Sequence, residues 1–143
     1  MRFMILVKAT KDTEAGIMPT GKEMDDLMGA MAAFHEEMAK AGVLLDASGL
    51  QPSAKGWRVR YDGKKRTIMD GPFAEAKELV AGYTLIQAKS KEEAMEWSRR
   101  FPNPAGEGKE AEIEVRQLYE LEDFEPREAR DRFKELEKSY SNR

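Results

Sequence analysis

Cysteine is absent from the 143 residues, and that one absence removes disulfide frameworks, thiolate nucleophiles, zinc-thiolate sites and iron–sulfur ligation together. It also fits a reducing compartment, so the expected location is the cytoplasm. Histidine occurs once, at His35, with no second imidazole to complete a transition-metal site. EF-hand spacing is missing as well, so no metal is expected. The glycines are not spaced for a dinucleotide loop or a P-loop, and no cofactor is expected. No apolar run approaches the ~20 residues needed to cross a bilayer, so no membrane partner is expected. The opening Met1 to Lys8 is too short for a signal-peptide core and lacks a small-residue cleavage site, which makes it structure rather than an address. An excess of basic charge is lacking too. Lys+Arg 24 stand against Asp+Glu 27, a net charge of −3, which argues against a general nucleic-acid binder.

What the chain does have is 36% charged residues beside 41% hydrophobic ones. The length supports one domain with one core. A mean hydropathy of −0.69 requires much of the charge to lie outside that core, so a charged appendage is expected.

Phe3 to Val7 is an unbroken apolar run of strand length, with Met4 and Leu6 on one face and Phe3, Ile5 and Val7 on the other; such a strand is covered on both sides. A loop with Gly16 and Pro19 leads to a helix over about 22–41, stopped by Gly42. Met24, Leu27, Met28, Met31, Phe34, His35 and Met38 fall on one stripe of it, opposite Asp25, Asp26, Glu36, Glu37 and Lys40. The methionines read as flexible packing residues that could form an adaptable pocket wall. Val43-Leu44-Leu45 begins a short second strand. Trp57, Val59 and Tyr61 alternate with Arg58 and Arg60, Asp62-Gly63 signals a two-residue hairpin turn, and Arg66 to Met69 returns. A sharp turn at 70–73, a helical turn within 74–79 and a strand over 80–88 follow. Ser90 and Glu93 have the capping-box spacing that opens a second amphipathic helix, and Ile113, Val115, Gln117 and Tyr119 mark the last strand.

Two helices set among antiparallel strands in a split βαβ pattern predict an α+β, ferredoxin-like domain whose helices cover one sheet face. Because Phe3 to Val7 is apolar on both sides, and Tyr83 with Leu85 and Gly82 with Ile86 put apolar groups on both sides of the strand over 80–88, the second face also needs a cover. A second copy of the sheet supplies the simplest one, giving a homodimer with a barrel-like core. The composition changes at Glu122, and Ala129, Phe133, Leu136 and Tyr140 put a narrow apolar stripe on a charged 122–143 extension. A helix beginning near Pro126 is expected there, docked on the domain or on the partner.

The stretch Asp70-Gly71-Pro72-Phe73-Ala74-Glu75-Ala76-Lys77-Glu78 resembles the motif that defines the DGPF subgroup of YCII-related proteins, and Gly49-Leu50-Gln51-Pro52 resembles the segment that accompanies it. The likeness covers residues 1–121. It implies a dimeric α+β barrel of largely unassigned molecular function, sometimes encoded beside extracytoplasmic-function sigma factors. It also implies a catalytic His–Asp pair, carried here by His35 and Asp70.

The residues themselves leave alternatives open. Asp70 reads either as an Asx-turn residue or as a ligand-facing carboxylate, and Phe73 as a core anchor. His35 faces the sheet either as a hydrogen-bonded core residue or as an acid–base group near neutral pH. Arg58, Glu78 and Arg116 are the candidate ligand-binding residues, with the arginines suited to a small organic anion and Glu114, Asp70 or Glu78 able to pair Arg116. Three functions fit: a small-molecule-binding dimer using His35 and Asp70 as acid–base groups, a non-catalytic regulatory or protein-interaction module, and a pure assembly protein.

Overall fold

The computed structural model describes residues 1–141. Its order is β1 (Arg2–Lys8), α1 (Lys11–Glu14), α2 (Gly21–Lys40), β2 (Leu44–Gly49), β3 (Trp57–Asp62), β4 (Lys65–Asp70), β5 (Val80–Gln87), α3 (Lys91–Arg99), β6 (Ile113–Gln117) and α4 (Glu128–Ser141), with 3-10 turns at Ser53–Lys55, Ala76–Glu78 and Leu121–Asp123. The last two residues of the charged extension lie outside the described residues.

The chain is α+β. Its antiparallel sheet has the order β2-β5-β1-β6, with the apolar strands β5 and β1 at the centre and β2 and β6 at the edges. α2 joins β1 to β2 and α3 joins β5 to β6, as the split pattern requires. Pairing of Phe3 with Ile86, Ile5 with Thr84 and Val115, and Val7 with Ile113 sets one face of side chains toward the helices. Phe3, Ile5 and Ile86 form the core there with Phe34 and Met38 of α2 and Ala94 of α3, and Trp97 and Phe101 pack around it. α3 starts at the predicted cap, with Ser90 Oγ accepting from the Glu93 N–H at 3.1 Å, but the box is half made: the Glu93 carboxylate accepts from the Lys89 N–H at 2.8 Å.

The other sheet face carries Met4, Leu6, Tyr83 and Leu85 along its centre, flanked by Asp46 and Ser48 on β2 and by Glu114 and Arg116 on β6. Tyr83 Oη donates to Asp46 Oδ2 at 2.8 Å across this face. The charged Asp46 carboxylate favours the protonated phenol, so the tyrosine titrates above its ordinary value.

Several elements differ from the sequence expectation. The stripe of α2 is buried only toward its C-terminal half, at Phe34 and Met38, while Met28 is 60% exposed. β2 runs on through Gly49, because pairing with β5 continues past the short apolar start to Gly49 opposite Gly82. The hairpin turn falls on Gly63-Lys64, one residue later than expected, with Asp62 paired to Lys65. Gly63 takes φ +60 and, among the described residues, only glycines have positive φ, which fits the II′ pattern with glycine at the first turn position.

A larger difference concerns the hairpin's place. β3 and β4 form a sheet of their own rather than joining the central one, so Asp70 ends a hairpin strand and not a central strand. Alternation shows that a segment is extended; it does not say which neighbour it pairs with.

The extension forms α4 within the expected region. It reaches the Arg2 end of β1, where Arg2, Lys134, Glu137, Lys138 and Tyr140 line a shallow cleft. Arg2 grips Glu120 through Nε at 2.9 Å and Nη2 at 3.1 Å, which raises the guanidinium pKa above its ordinary value. The expected apolar stripe is not docked on this chain, since Phe133, Leu136 and Tyr140 are all exposed.

Candidate functional site

His35 lies on the buried side of α2 because it follows Phe34 and precedes Met38 at helical spacing. Its Nδ1 is 2.7 Å from the Met31 carbonyl and its Nε2 is 2.8 Å from Thr84 Oγ1. A carbonyl only accepts, so Nδ1 carries the proton and Nε2 of the neutral ring accepts from the threonine hydroxyl. Thr84 is 2% exposed, in the middle of β5. Phe101 and Phe34 meet the imidazole edge-on, with centroids at 5.9 and 6.3 Å. If the ring gains a second proton, Nε2 donates and the hydroxyl turns to accept. The threonine is therefore the group through which a proton at Nε2 is felt, and no sequence motif announced it.

His35 and Asp70 are not brought together by hydrogen bonding: both imidazole nitrogens are engaged by Met31 and Thr84. Asp70 is exposed, opposite Trp57 at the end of the hairpin. Arg58 pairs with Met69, one position along, so alternation puts Asp70 and Arg58 on opposite faces of that hairpin. The Arg58 guanidinium lies 3.8 Å over the Phe73 ring. Phe73 is half-buried there and stands outside the core cluster, rather than anchoring the core. Glu78 is exposed in its 3-10 turn. Arg116 is exposed on β6, where Nη1 stands 3.4 Å from Glu114 Oε2, so Glu114 is the carboxylate that meets it.

The turn after Asp70 is held by residues that composition and spacing did not single out. Gly71 N–H donates to the Gly56 carbonyl at 3.0 Å, and the Gly71–Pro72 peptide is cis. A Cβ at Gly71 would stand 1.9 Å from the Ser53 carbonyl oxygen, so only glycine fits this approach. Phe73 N–H donates to Ser53 Oγ at 3.0 Å. Ser53 in turn gives its N–H to Glu14 Oε1 at 3.0 Å and its hydroxyl to Glu14 Oε2. The carboxylate that accepts from the backbone in this knot is thus Glu14, where the sequence pointed to Asp70. Its signal was weak: a lone glutamate in a four-residue helix, 39 positions from its partner.

A cleft of about 450 Å³ lies between the N-terminal half of α2 and the 102–109 loop. Leu27, Ala30, Pro102 and Ala105 give it apolar walls, and Glu23, Asp26 and Glu107 give it carboxylates. Lys109 Nζ stands 3.6 Å from Glu23. This cleft has the loop as its second wall, and its charge disfavours an anion. Among the described residues, no group of three His, Cys, Asp or Glu side chains stands ready to hold a metal ion, and no helix is long and apolar enough to cross a membrane.

Comparison with known proteins agrees with the layout. An uncharacterized protein of Rhizobium meliloti (strain 1021) is 34% identical over 83 residues, which span 57% of this chain and 67% of that protein. The family model of the YCII-related domain matches residues 1–121, from the first strand through the start of the turn that precedes α4. The chain belongs to the YCII-related domain family.

Proposed function

We propose that this protein is a cytoplasmic member of the DGPF subgroup that works as a homodimeric α+β barrel and binds a small organic anion at the base of its hairpin. The observation that carries the anion reading is Arg58. Its guanidinium carbon lies 3.8 Å over the centre of the Phe73 ring, a cation–π contact that anchors the group beside the motif turn, and a guanidinium so placed can take a carboxylate or phosphate. Arg116 supplies a second cation on the sheet face, and Glu78 is the acidic candidate after the motif turn. Support for the dimer comes from Met4, Leu6, Tyr83 and Leu85, an apolar row between charged edges on the face that α2 and α3 do not cover. Packing it against its own copy gives an isologous interface.

The test is thermal denaturation with a panel of small carboxylates and phosphates. A ligand that prefers the native state raises the melting temperature by mass action, and replacing Arg58 by methionine should abolish the rise. If no anion stabilises the protein, or the variant keeps the effect, the site is wrong. For the dimer, sedimentation should give twice the chain mass, and Leu85→Glu should give one.

A second reading, a non-catalytic regulatory or protein-interaction module, is favoured over an enzyme by one feature. Both nitrogens of His35 already have partners, and neither is Asp70. The subgroup's association with sigma-factor signalling supplies the setting for that reading. Under it, His35→Gln leaves anion binding intact. Under the acid–base reading, turnover of a bound anion disappears with either His35→Gln or Asp70→Asn while binding persists.

A further inference from the structure

The two faces of the hairpin differ in chemistry. Residues directly opposite each other in an antiparallel pair share a face, so Arg58, Arg60 and Asp62 of β3 stand with Lys65, Thr67 and Met69 of β4. Trp57, Val59, Tyr61, Arg66, Ile68 and Asp70 make the other face. Asp62, the one carboxylate on the first face, lies opposite Lys65 at the turn end. What remains toward the motif turn is Arg58 opposite Met69 and Arg60 opposite Thr67: two guanidinium groups, one thioether, one hydroxyl and no acid.

Arg58 and Arg60 are also set apart by what they lack. Arg2, Arg99, Arg100, Arg116 and Arg127 each form an ion pair with a glutamate. Among the described residues no carboxylate meets Arg58 or Arg60, and both are exposed. They stand two residues apart on one strand face, so their Cα atoms are about 6–7 Å apart and their like charges repel until an anion lies between them. The two are not held alike. The Arg58 guanidinium carbon lies 3.8 Å over the centre of the Phe73 ring. Phe73 is itself tied down, since its N–H donates to Ser53 Oγ at 3.0 Å and the Ser53 N–H donates to Glu14 at 3.0 Å. Arg60 has no aromatic ring beneath it, and Thr67 across the strands adds a hydroxyl on its side.

We infer that the anion is a small organic dianion, with one acidic group taken by Arg58 and the second by Arg60 together with Thr67. This rests on the Arg58 reading above and adds to it the class of ligand and the residue that takes the second charge. A ligand with a single acidic group compensates one guanidinium and leaves the other as it was. Two acids on a short hydrocarbon chain compensate both, and the chain lies against Met69, which is 36% exposed. Arg58 is anchored before the ligand arrives, so little freedom is lost there on binding, and Arg60 closes onto the second group.

Adipate and hexanoate, acids of equal chain length with two charges and one, test this by isothermal titration of the full chain. The wild type should bind adipate about tenfold more tightly than hexanoate. Arg60→Met should remove that advantage while hexanoate binding stays, and Arg58→Met should weaken both acids. Arg66→Met removes the same charge from the other face of the hairpin, and the advantage should survive it. All three positions are exposed, so the variants keep the fold. Equal affinity of the wild type for the two acids, or an adipate advantage that survives Arg60→Met, overturns the dianion and leaves the Arg58 site standing. Loss of the advantage in Arg66→Met assigns it to the overall charge of the hairpin and overturns the role of Arg60. If neither acid binds, or Arg58→Met changes neither, the anion site falls and this inference falls with it.

Discussion

Thr84 Oγ1 stands 2.8 Å from His35 Nε2, a bond between side chains 49 positions apart that ties the buried face of α2 to the middle of β5. It makes the one histidine part of the helix–sheet seam. Any chemistry asked of His35 must first exchange this partner, and stability should register the bond as well.

Replacing Thr84 by valine keeps the shape and removes the hydroxyl, leaving Nε2 without a partner inside the protein. A loss of about 1–2 kcal/mol is expected in urea unfolding followed by circular dichroism. An unchanged midpoint would mean the bond contributes nothing net.

Gly71 and Gly49 give opposite expectations for the same substitution. An alanine Cβ at Gly71 would stand 1.9 Å from backbone, at Ser53 O, while at Gly49 nothing lies within 4 Å. Gly71→Ala should cost about 1–3 kcal/mol or more through displaced backbone, and Gly49→Ala should stay within about 0.5 kcal/mol. Equal unfolding midpoints for the two variants would refute the close approach.

Glu14, Ser53 and Phe73 should behave as one unit. Ser53→Ala and Glu14→Ala each break the knot that holds the motif turn, so their effects should not add. A double-mutant cycle is expected to show about 0.5–3 kcal/mol of coupling, and simple additivity would separate the two residues.

Tyr83 gives a signature in alkali. Its hydrogen bond to Asp46 raises the phenol pKa in the folded state. The stabilisation is therefore fully present below the ordinary tyrosine value near 10 and is lost as pH rises through the folded value. Tyr83 should ionise late in ultraviolet absorbance titration, and Asp46→Asn should return it toward the ordinary range. A late tyrosine that survives Asp46→Asn assigns the shift to another cause.

The main elements were legible because their signals are local. The two-sided apolar run of β1, the Ser90 cap of α3, the breadth of α2 and the stripe of α4 each follow from spacing within a few residues. The candidate site was legible only in parts. Spacing set His35 toward the sheet but could not name Thr84, because a contact across 49 residues depends on how the helix lies on the strands. Asp70 is the natural partner of His35 only if the strand that ends at Asp70 lies in the central sheet. Once β4 pairs only with β3, its end belongs to the hairpin.

The sequence by itself determined the α+β class, the order of its principal elements and the chemistry available, since a chain with one histidine and no cysteine has only imidazole, carboxylates, hydroxyls and cations to use. Tertiary structure alone decided which of these meet. It gave Arg58 to Phe73, Ser53 to Glu14 and His35 to Thr84. Periodicity fixes which face a side chain takes on its own element, while the partner on the other side is set by strand order and register, which no single segment encodes.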